Sequence, residues 1–145
     1  MFKNYIQILN NMAQKFAKLG EVPVACVAVL DGKIIASSGN LVEKKKNKIL
    51  HAEIVVLYKL QKKFKTTNFL NLNISLYITL EPCCMCASAI SMCGIRNVFY
   101  MLEDKKFGGV NRIYTEDSAY FKPNYFLIEN KEYCEILRNF FKDKR

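Results

Sequence analysis

The sequence lacks any uninterrupted run of about 18 apolar residues, and this absence excludes a membrane-spanning helix. Its first residues, "MFKNYIQILNNMAQKF", also lack an apolar stretch followed by a small-residue cleavage site, so we expect no signal peptide. There is no internal repeat and no linker rich in Pro, Gly or Ser. Because 145 residues with 51% hydrophobic residues can supply one core, we expect a single domain over residues 1–145.

Histidine is nearly absent, since His51 is the one histidine in a chain with six cysteines. Without a signal peptide we expect a cytoplasmic protein, and in that reducing compartment clustered thiols bind metal or do chemistry more often than they form disulfides. Cys83, Cys84 and Cys86 fall within four positions of the stretch "TLEPCCMCASA". Adjacent cysteines are poor disulfide partners, so this cluster predicts a functional site.

Acidic residues are few, with 13 Asp plus Glu against 22 Lys plus Arg, which gives a formal net charge of +9. Such an excess in a small chain favours a polyanionic partner such as nucleic acid. A lysine-rich, solvated surface is the simpler interpretation of the same number. Charge alone leaves both interpretations open.

The apolar spacing predicts the order α-β-β-α-β-α-β, then an irregular stretch, then β-α. "VPVACVAVL" and "KIIASSG" read as two strands joined by a type I′ turn at "DG", and "NISLYITL" reads as a third strand. "NLVEKKKNK" reads as a polar loop, and Pro82 is expected in the first turn of the cysteine-rich helix. The fold class that follows is α/β, a three-layer α-β-α sandwich around a five-stranded mixed sheet.

Cys83 and Cys86 are three positions apart and therefore share one face of that helix. The exposed N–H groups and the dipole at a helix N-terminus favour anions, which helps to ionise thiols there. Two thiolates and the neutral imidazole of His51 form a ligand set suited to Zn²⁺, and a fourth position filled by water would make the site catalytic. We therefore predict one zinc ion per chain.

His51 and Glu53 are two positions apart, so in a regular helix their side chains would point about 200° away from each other. Both can face one site only if His51 lies at the irregular entrance of its helix. Glu53 is then a carboxylate beside the metal, able to move a proton, and is no ligand. Two alternatives remain: a structural zinc that uses Cys84 or Cys93 as the fourth ligand, or buried thiols that bind no metal.

The strings "HAE" at residues 51–53 and "PCCMC" at residues 82–86 match H-x-E…P-C-x-x-C, the signature of the zinc-dependent cytidine deaminase superfamily. Within that superfamily the chain resembles the bacterial tRNA-specific adenosine deaminases over essentially its whole length. The strings that carry this resemblance are "EVPVACVAVL", "HAEI", "LYITLEPCCMCASAI" and the ending "NFFKDKR".

This resemblance implies a cytidine deaminase-like fold, with His51, Cys83 and Cys86 as zinc ligands and Glu53 as the proton shuttle. It also implies that the amide of Asn40 holds the purine edge. The implied reaction is the hydrolytic deamination of adenosine to inosine at the wobble position of a tRNA anticodon. The implied partners are a tRNA anticodon stem-loop and a second copy of the chain in a homodimer.

The resemblance leaves the roles of three features open. Phe140 and Phe141 could line an RNA site or serve as core or interface residues, and Cys84 is expected to take no part in the site. Residues 107–111, "FGGVN", replace a Gly-Ser loop that lies close to RNA in the family.

Two other functions also remain: a deaminase of a small molecule of the guanine or cytosine type, and a non-catalytic zinc-stabilised RNA-binding subunit. Glu53 argues against the second, because a subunit without catalysis needs no such carboxylate.

Overall fold

Helices and strands alternate around one sheet in a computed structural model, which describes residues 2–144; Met1 and Arg145 of the predicted domain lie outside the described residues. The helices are α1 (Phe2–Lys18), α2 (Val42–Lys45), α3 (Ala52–Phe64), α4 (Cys84–Cys93) and α5 (Lys131–Asp143). The strands are β1 (Ala25–Leu30), β2 (Lys33–Gly39), β3 (Ser75–Ile78), β4 (Asn97–Tyr100) and β5 (Asn124–Leu127). Over residues 2–144 no helix combines the length and the apolar character that crossing a membrane requires.

The sheet has five strands in the order β2-β1-β3-β4-β5. β1 is antiparallel to β2 and to β3, whereas β3, β4 and β5 run parallel, so the prediction of a mixed five-stranded sheet is confirmed. Asp31 and Gly32 link β1 to β2 with φ values of 51° and 76°. Positive φ at both central residues is what a type I′ turn requires, and the "DG" dipeptide correctly predicted it.

Strand β1 shows how the sheet is covered on both faces. Cys26 and Ala28 belong to one buried apolar cluster, together with Val56, Leu60 and Ile90 from α3 and α4. The alternate residues of β1 belong to a second cluster with side chains from α1 and α5, among them Leu9 and Tyr133. Because successive strand residues point to opposite faces, this division confirms the predicted three-layer sandwich.

The predicted polar loop after β2 contains the short helix α2, so that prediction is wrong for Val42–Lys45. The cause lies about twenty positions earlier in the chain. The carboxylate of Glu21, which is 1% exposed, accepts hydrogen bonds from the backbone N–H groups of Glu43 at 2.9 Å and of Lys44 at 2.8 Å. These bonds satisfy free donors of the first turn, an effect that no local pattern reveals.

The prediction that Pro82 occupies the first turn of α4 is also wrong, because α4 begins at Cys84 and Cys83 is its N-cap. The backbone N–H of Gly109 donates to the carbonyl of Pro82 at 2.8 Å, and Cys83 pairs with Gly108 in an isolated β-bridge. This pairing holds Cys83 in extended conformation. The strand predicted over residues 73–80 is likewise shorter and covers Ser75–Ile78.

Candidate metal centre and reaction cavity

The candidate site forms where the N-termini of α3 and α4 meet. His51 is the N-cap of α3 with ψ of 155°, and Cys83 is the N-cap of α4 with ψ of 173°, so both residues have extended backbone. The expected irregular entrance at His51 is therefore present. It turns the imidazole toward the side of α3 that carries Glu53. Both helix dipoles favour negative charge at this point.

Three side chains of the predicted site come together in a small cluster. Nδ1 of His51 lies 3.7 Å from Sγ of Cys83 and 3.5 Å from Sγ of Cys86, and all three atoms lie within 4.8 Å of one another. Tetrahedral zinc, with bonds of about 2.3 Å to sulfur and about 2.0 Å to nitrogen, separates such ligand atoms by about 3.5 Å. The donor types and their spacing therefore fit one zinc ion.

The alternative of a structural zinc with four protein ligands finds no support in this geometry. Within residues 2–144, no fourth His, Cys, Asp or Glu atom joins the cluster. Cys84 is exposed. Cys93 lies at the other end of α4, where the side-chain amide of Gln61 contacts its sulfur at 3.5 Å. Three protein ligands and an open position are the arrangement of catalytic zinc sites.

The pKa values of the two thiols of the cluster shift in opposite directions. The hydrogen bond from Cys86 lowers the pKa of Cys83 to about 4, and the same bond, together with burial, raises the pKa of Cys86. The hydrogen bond with Cys83 also raises the pKa of His51, although burial acts in the opposite direction. The lowered pKa of Cys83 favours its thiolate, which is the form that binds metal.

Glu53 lies beside the cluster and outside it. Its side chain is 3% exposed, and its Oε2 accepts a hydrogen bond from Sγ of Cys86 at 3.4 Å. Burial raises the pKa of this carboxyl group above its ordinary value. A carboxyl group whose pKa is shifted toward neutrality can both accept and return a proton, which suits a general acid–base group.

The cluster opens into a cavity of about 1120 Å³, which we call the reaction cavity. His51, Glu53 and Cys83 line it, while Cys86 is fully buried behind them. Asn40 lines it as well, and its Oδ1 accepts a hydrogen bond from the N–H of Ala52 at 2.9 Å. This bond fixes the amide, so Nδ2 of Asn40 is the donor available to a ligand. All five residues predicted from the sequence therefore meet at one place.

The rim of the reaction cavity contains residues that the sequence reasoning missed or left open. Residues 104–110, which we call the rim loop, contribute two lysines and an exposed aromatic ring; the members that line the cavity are Asp104, Lys105, Lys106 and Phe107. Lys48 also lines the cavity, and the polar loop directly before His51 was the only signal for it. From α5, Phe141 lines the cavity with Leu137, whereas Phe140 is not among the lining residues.

Comparisons with known proteins agree with this site. The family described as the cytidine and deoxycytidylate deaminase zinc-binding region matches residues 2–102. The tRNA-specific adenosine deaminase of Agrobacterium fabrum is 37% identical over 137 residues, which cover 92% of this chain and 89% of the relative.

Two solved structures are also similar to the chain. One, from a study of A-to-I editing by tRNA:A34 deaminases at the wobble position of transfer RNA, has 32% identity and a TM-score of 0.86, with 93% of this chain and 99% of the other covered. A guanine deaminase of Nitrosomonas europaea has a TM-score of 0.78 and covers 92% of this chain and 81% of its own, but at 19% identity it shares the fold alone. The chain therefore belongs to the zinc-binding cytidine and deoxycytidylate deaminase family and, within it, to the tRNA-specific adenosine deaminases.

Proposed function

We propose that the chain converts the wobble adenosine of a tRNA anticodon to inosine by hydrolytic deamination. The observation that carries this proposal is the His51–Cys83–Cys86 cluster with Glu53 beside it, at the inner end of an open cavity. The similarity to deaminases of tRNA adenosine, both in sequence and in structure, supports adenosine in tRNA as the substrate.

In the proposed reaction His51, Cys83 and Cys86 hold one zinc ion. Bound zinc lowers the pKa of water from about 15.7 to about 7, which supplies a nucleophile at neutral pH. The carboxylate of Glu53 takes the proton of the attacking water and passes it to N1 of the adenine ring. The water oxygen is then bonded to C6 as a hydroxyl group, and Glu53 takes the proton of that hydroxyl and gives it to the amine at C6. The C6–N bond breaks, the amine leaves as ammonia, and C6 becomes the carbonyl carbon of inosine. The products, inosine and ammonia, account for all atoms of adenosine and water.

Asn40 orients the base in this scheme. Its amide is held by the bond to Ala52, so Nδ2 can donate to a ring nitrogen of the purine without first being ordered. A base that is stacked in the anticodon loop has to turn outward to reach Glu53. Single-stranded loops make this change at little cost, which favours an anticodon loop over a duplex.

The basic surface fits a phosphate-rich substrate. Lys48, Lys105 and Lys106 lie at the cavity rim, and none of them takes part in the one ion pair found within residues 2–144, which joins Lys46 to Glu43 at 3.9 Å. Lysines that are not neutralised by carboxylates can contact phosphates directly. The net charge of +9 thus has a function in this proposal.

Three further features belong to the proposal. The chain forms one deaminase domain, which the continuous sheet supports, and it acts in the cytoplasm, where tRNA and reduced thiols coexist.

It also pairs with a second copy of itself. Exposed apolar side chains of Met92, Tyr120 and Phe121 around a depression of about 550 Å³ support pairing, since such patches mark interaction surfaces. Light scattering of the purified chain tests this last point.

The deciding experiment offers the purified, zinc-loaded chain three substrates in separate reactions: a tRNA anticodon stem-loop with adenosine at position 34, guanine, and cytidine. We expect inosine and ammonia from the stem-loop only. Affinity for the stem-loop is expected to fall steeply between about 50 and 200 mM salt, because bound cations are released from each neutralised phosphate. Efficient turnover of guanine or cytidine, with a flat salt response, would instead establish a small-molecule deaminase.

A further inference from the structure

Phe107 is an aromatic residue in an unusual position. Its side chain is 61% exposed, although it belongs to the rim loop and lines the reaction cavity. A ring that is so exposed contributes little to the stability of the core. Nζ of the preceding residue, Lys106, lies 5.2 Å from the centroid of the Phe107 ring, so an aromatic ring and a cation lie together at the cavity entrance.

The backbone around Phe107 is held in place from within the rim loop. Oδ1 of Asp104 accepts hydrogen bonds from the N–H of Lys106 at 3.1 Å and from the N–H of Phe107 at 3.0 Å. The carbonyl of Asp104 accepts another from the N–H of Gly108 at 2.8 Å. Three bonds to one residue fix the turn that presents the ring.

Two side chains outside this turn fix it further. The guanidinium of Arg112 donates to the carbonyls of Lys105 at 2.8 Å and of Lys106 at 2.7 Å. The carboxylate of Glu81 accepts from the N–H of Asp104 at 3.2 Å and, through its other oxygen, from the N–H of Val110 at 3.3 Å. A loop that is already held in one conformation loses less conformational entropy when a ligand binds, which favours binding.

The rim loop is also tied to the metal centre. The N–H of Gly109 bonds the carbonyl of Pro82, and a Cβ at Gly109 would lie 2.7 Å from the backbone of Cys84. The loop backbone thus lies directly against the start of α4, next to Cys83. The ring of Phe107 therefore has a defined position relative to the proposed zinc ligands.

We propose that Phe107 is a stacking platform for a nucleobase that neighbours the reactive adenosine, an inference that rests on the proposed function. When the adenosine turns into the cavity, its neighbour in the loop loses a stacking partner. A rigid ring at the entrance replaces that partner, and stacking on an aromatic side chain accepts any base. Lys106 beside the ring supplies a cation for the adjoining phosphate. Phe107 thereby selects single-stranded RNA over free nucleobases.

The test measures kcat and KM of the zinc-loaded full chain on the anticodon stem-loop for wild type, Phe107→Ala and Phe107→Trp. Stacking on one base is lost in Phe107→Ala, so kcat/KM is expected to fall about 5- to 150-fold, mainly through KM. Phe107→Trp keeps an aromatic ring at this position, so its kcat/KM is expected to match that of wild type. Phe126→Ala is the control, because Phe126 is a 44% exposed aromatic on β5 that does not line the cavity, and it is expected to match wild type.

Stem-loops with an abasic site on either side of the adenosine identify the stacked base. At one of the two positions the abasic substrate is expected to slow wild type as much as Phe107→Ala does, with no further loss when the two changes are combined. Additive losses at both positions, or a Phe107→Ala enzyme that equals wild type, would overturn the inference while the proposed function stands. If wild type forms no inosine from the stem-loop, the proposed function fails and this inference fails with it.

Discussion

The metal centre and the rim loop are neighbours that are built in opposite ways. His51, Cys83 and Cys86 lie at the N-terminal ends of two helices and within 4.8 Å of one another, with Glu53 buried next to them. The rim loop is an exposed turn whose backbone N–H groups donate to the carboxylate of Glu81 and whose carbonyls accept from Arg112. In the proposed function the first arrangement carries the deamination chemistry, and the second is the surface that the substrate contacts.

The two regions are joined at one short segment. Glu81 holds the rim loop, and Pro82 accepts a hydrogen bond from that loop immediately before the ligand Cys83. This connection fixes the position of the loop backbone relative to the proposed metal ligands. Changes in the metal centre should therefore abolish the chemistry, and changes in the rim loop should alter substrate binding alone.

The largest expected effect is the loss of metal. Cys86→Ser removes one of three ligands, so we expect loss of most of the zinc and of all measurable deamination. Cys84→Ser changes the adjacent exposed thiol and is the matched control, expected to keep both zinc and activity. Metal analysis of the purified variants measures the difference. Equal loss of zinc in both variants would restore the structural-zinc interpretation.

Glu53→Gln is expected to affect the chemistry without affecting the metal. The amide keeps the size of the side chain and part of its hydrogen bonding, but it cannot accept a proton from water. Zinc content and affinity for the stem-loop are expected to match wild type, while kcat falls by at least about 10²- to 10⁴-fold. Single-turnover rates and metal analysis check this pair of results. A Glu53→Gln enzyme without zinc would identify Glu53 as a ligand or as a support for one.

A substitution of Asn40 tests whether this residue binds the purine or only holds the start of α3. Asn40→Asp keeps the oxygen that accepts from Ala52, but it removes the Nδ2 donor proposed to hold the purine. We expect an intact fold and full zinc content, with kcat/KM lowered about 5- to 150-fold, the range for losing one buried hydrogen-bond partner. Normal turnover by Asn40→Asp would leave Asn40 with the structural role of fixing the start of α3.

The contrast between the two regions also explains what could be predicted from the sequence. The metal centre was predictable because its residues lie in two short motifs whose chemistry depends on residue type and spacing. The mixed sheet and its I′ turn followed from apolar alternation and from the "DG" dipeptide. These features depend on neighbours in the chain.

The features that were missed depend on distant contacts. Glu21 binds the first turn of α2 from more than twenty positions away. Gly108 pairs with Cys83 and Gly109 donates to the carbonyl of Pro82, and α4 begins only after them, at Cys84. The string "FGGVN" differs from the family pattern, which is visible in the sequence. The exposure of Phe107 depends on hydrogen bonds that form only in the folded loop, so this surface cannot be predicted from the sequence.

The smallest expected effect comes from Arg112, which holds the rim loop and does not line the reaction cavity. Arg112→Met removes the two bonds to the carbonyls of Lys105 and Lys106, so the ring of Phe107 has to be ordered when RNA binds. We expect KM for the stem-loop to rise about 2- to 10-fold with kcat unchanged, which is less than the full contribution of the two lost bonds, because Glu81 and Asp104 still hold the loop.

Arg112→Lys separates position from charge, because lysine keeps the positive charge but cannot donate to two carbonyls through a planar fork. If Arg112 acts by holding the loop, Arg112→Lys is expected to resemble Arg112→Met, and neither change adds to the effect of Phe107→Ala. If Arg112→Lys behaves like wild type, the charge matters and Arg112 contacts phosphate directly. A rise in KM that adds fully to that of Phe107→Ala would show that the two residues act independently, and the rim loop would then be no single preformed surface.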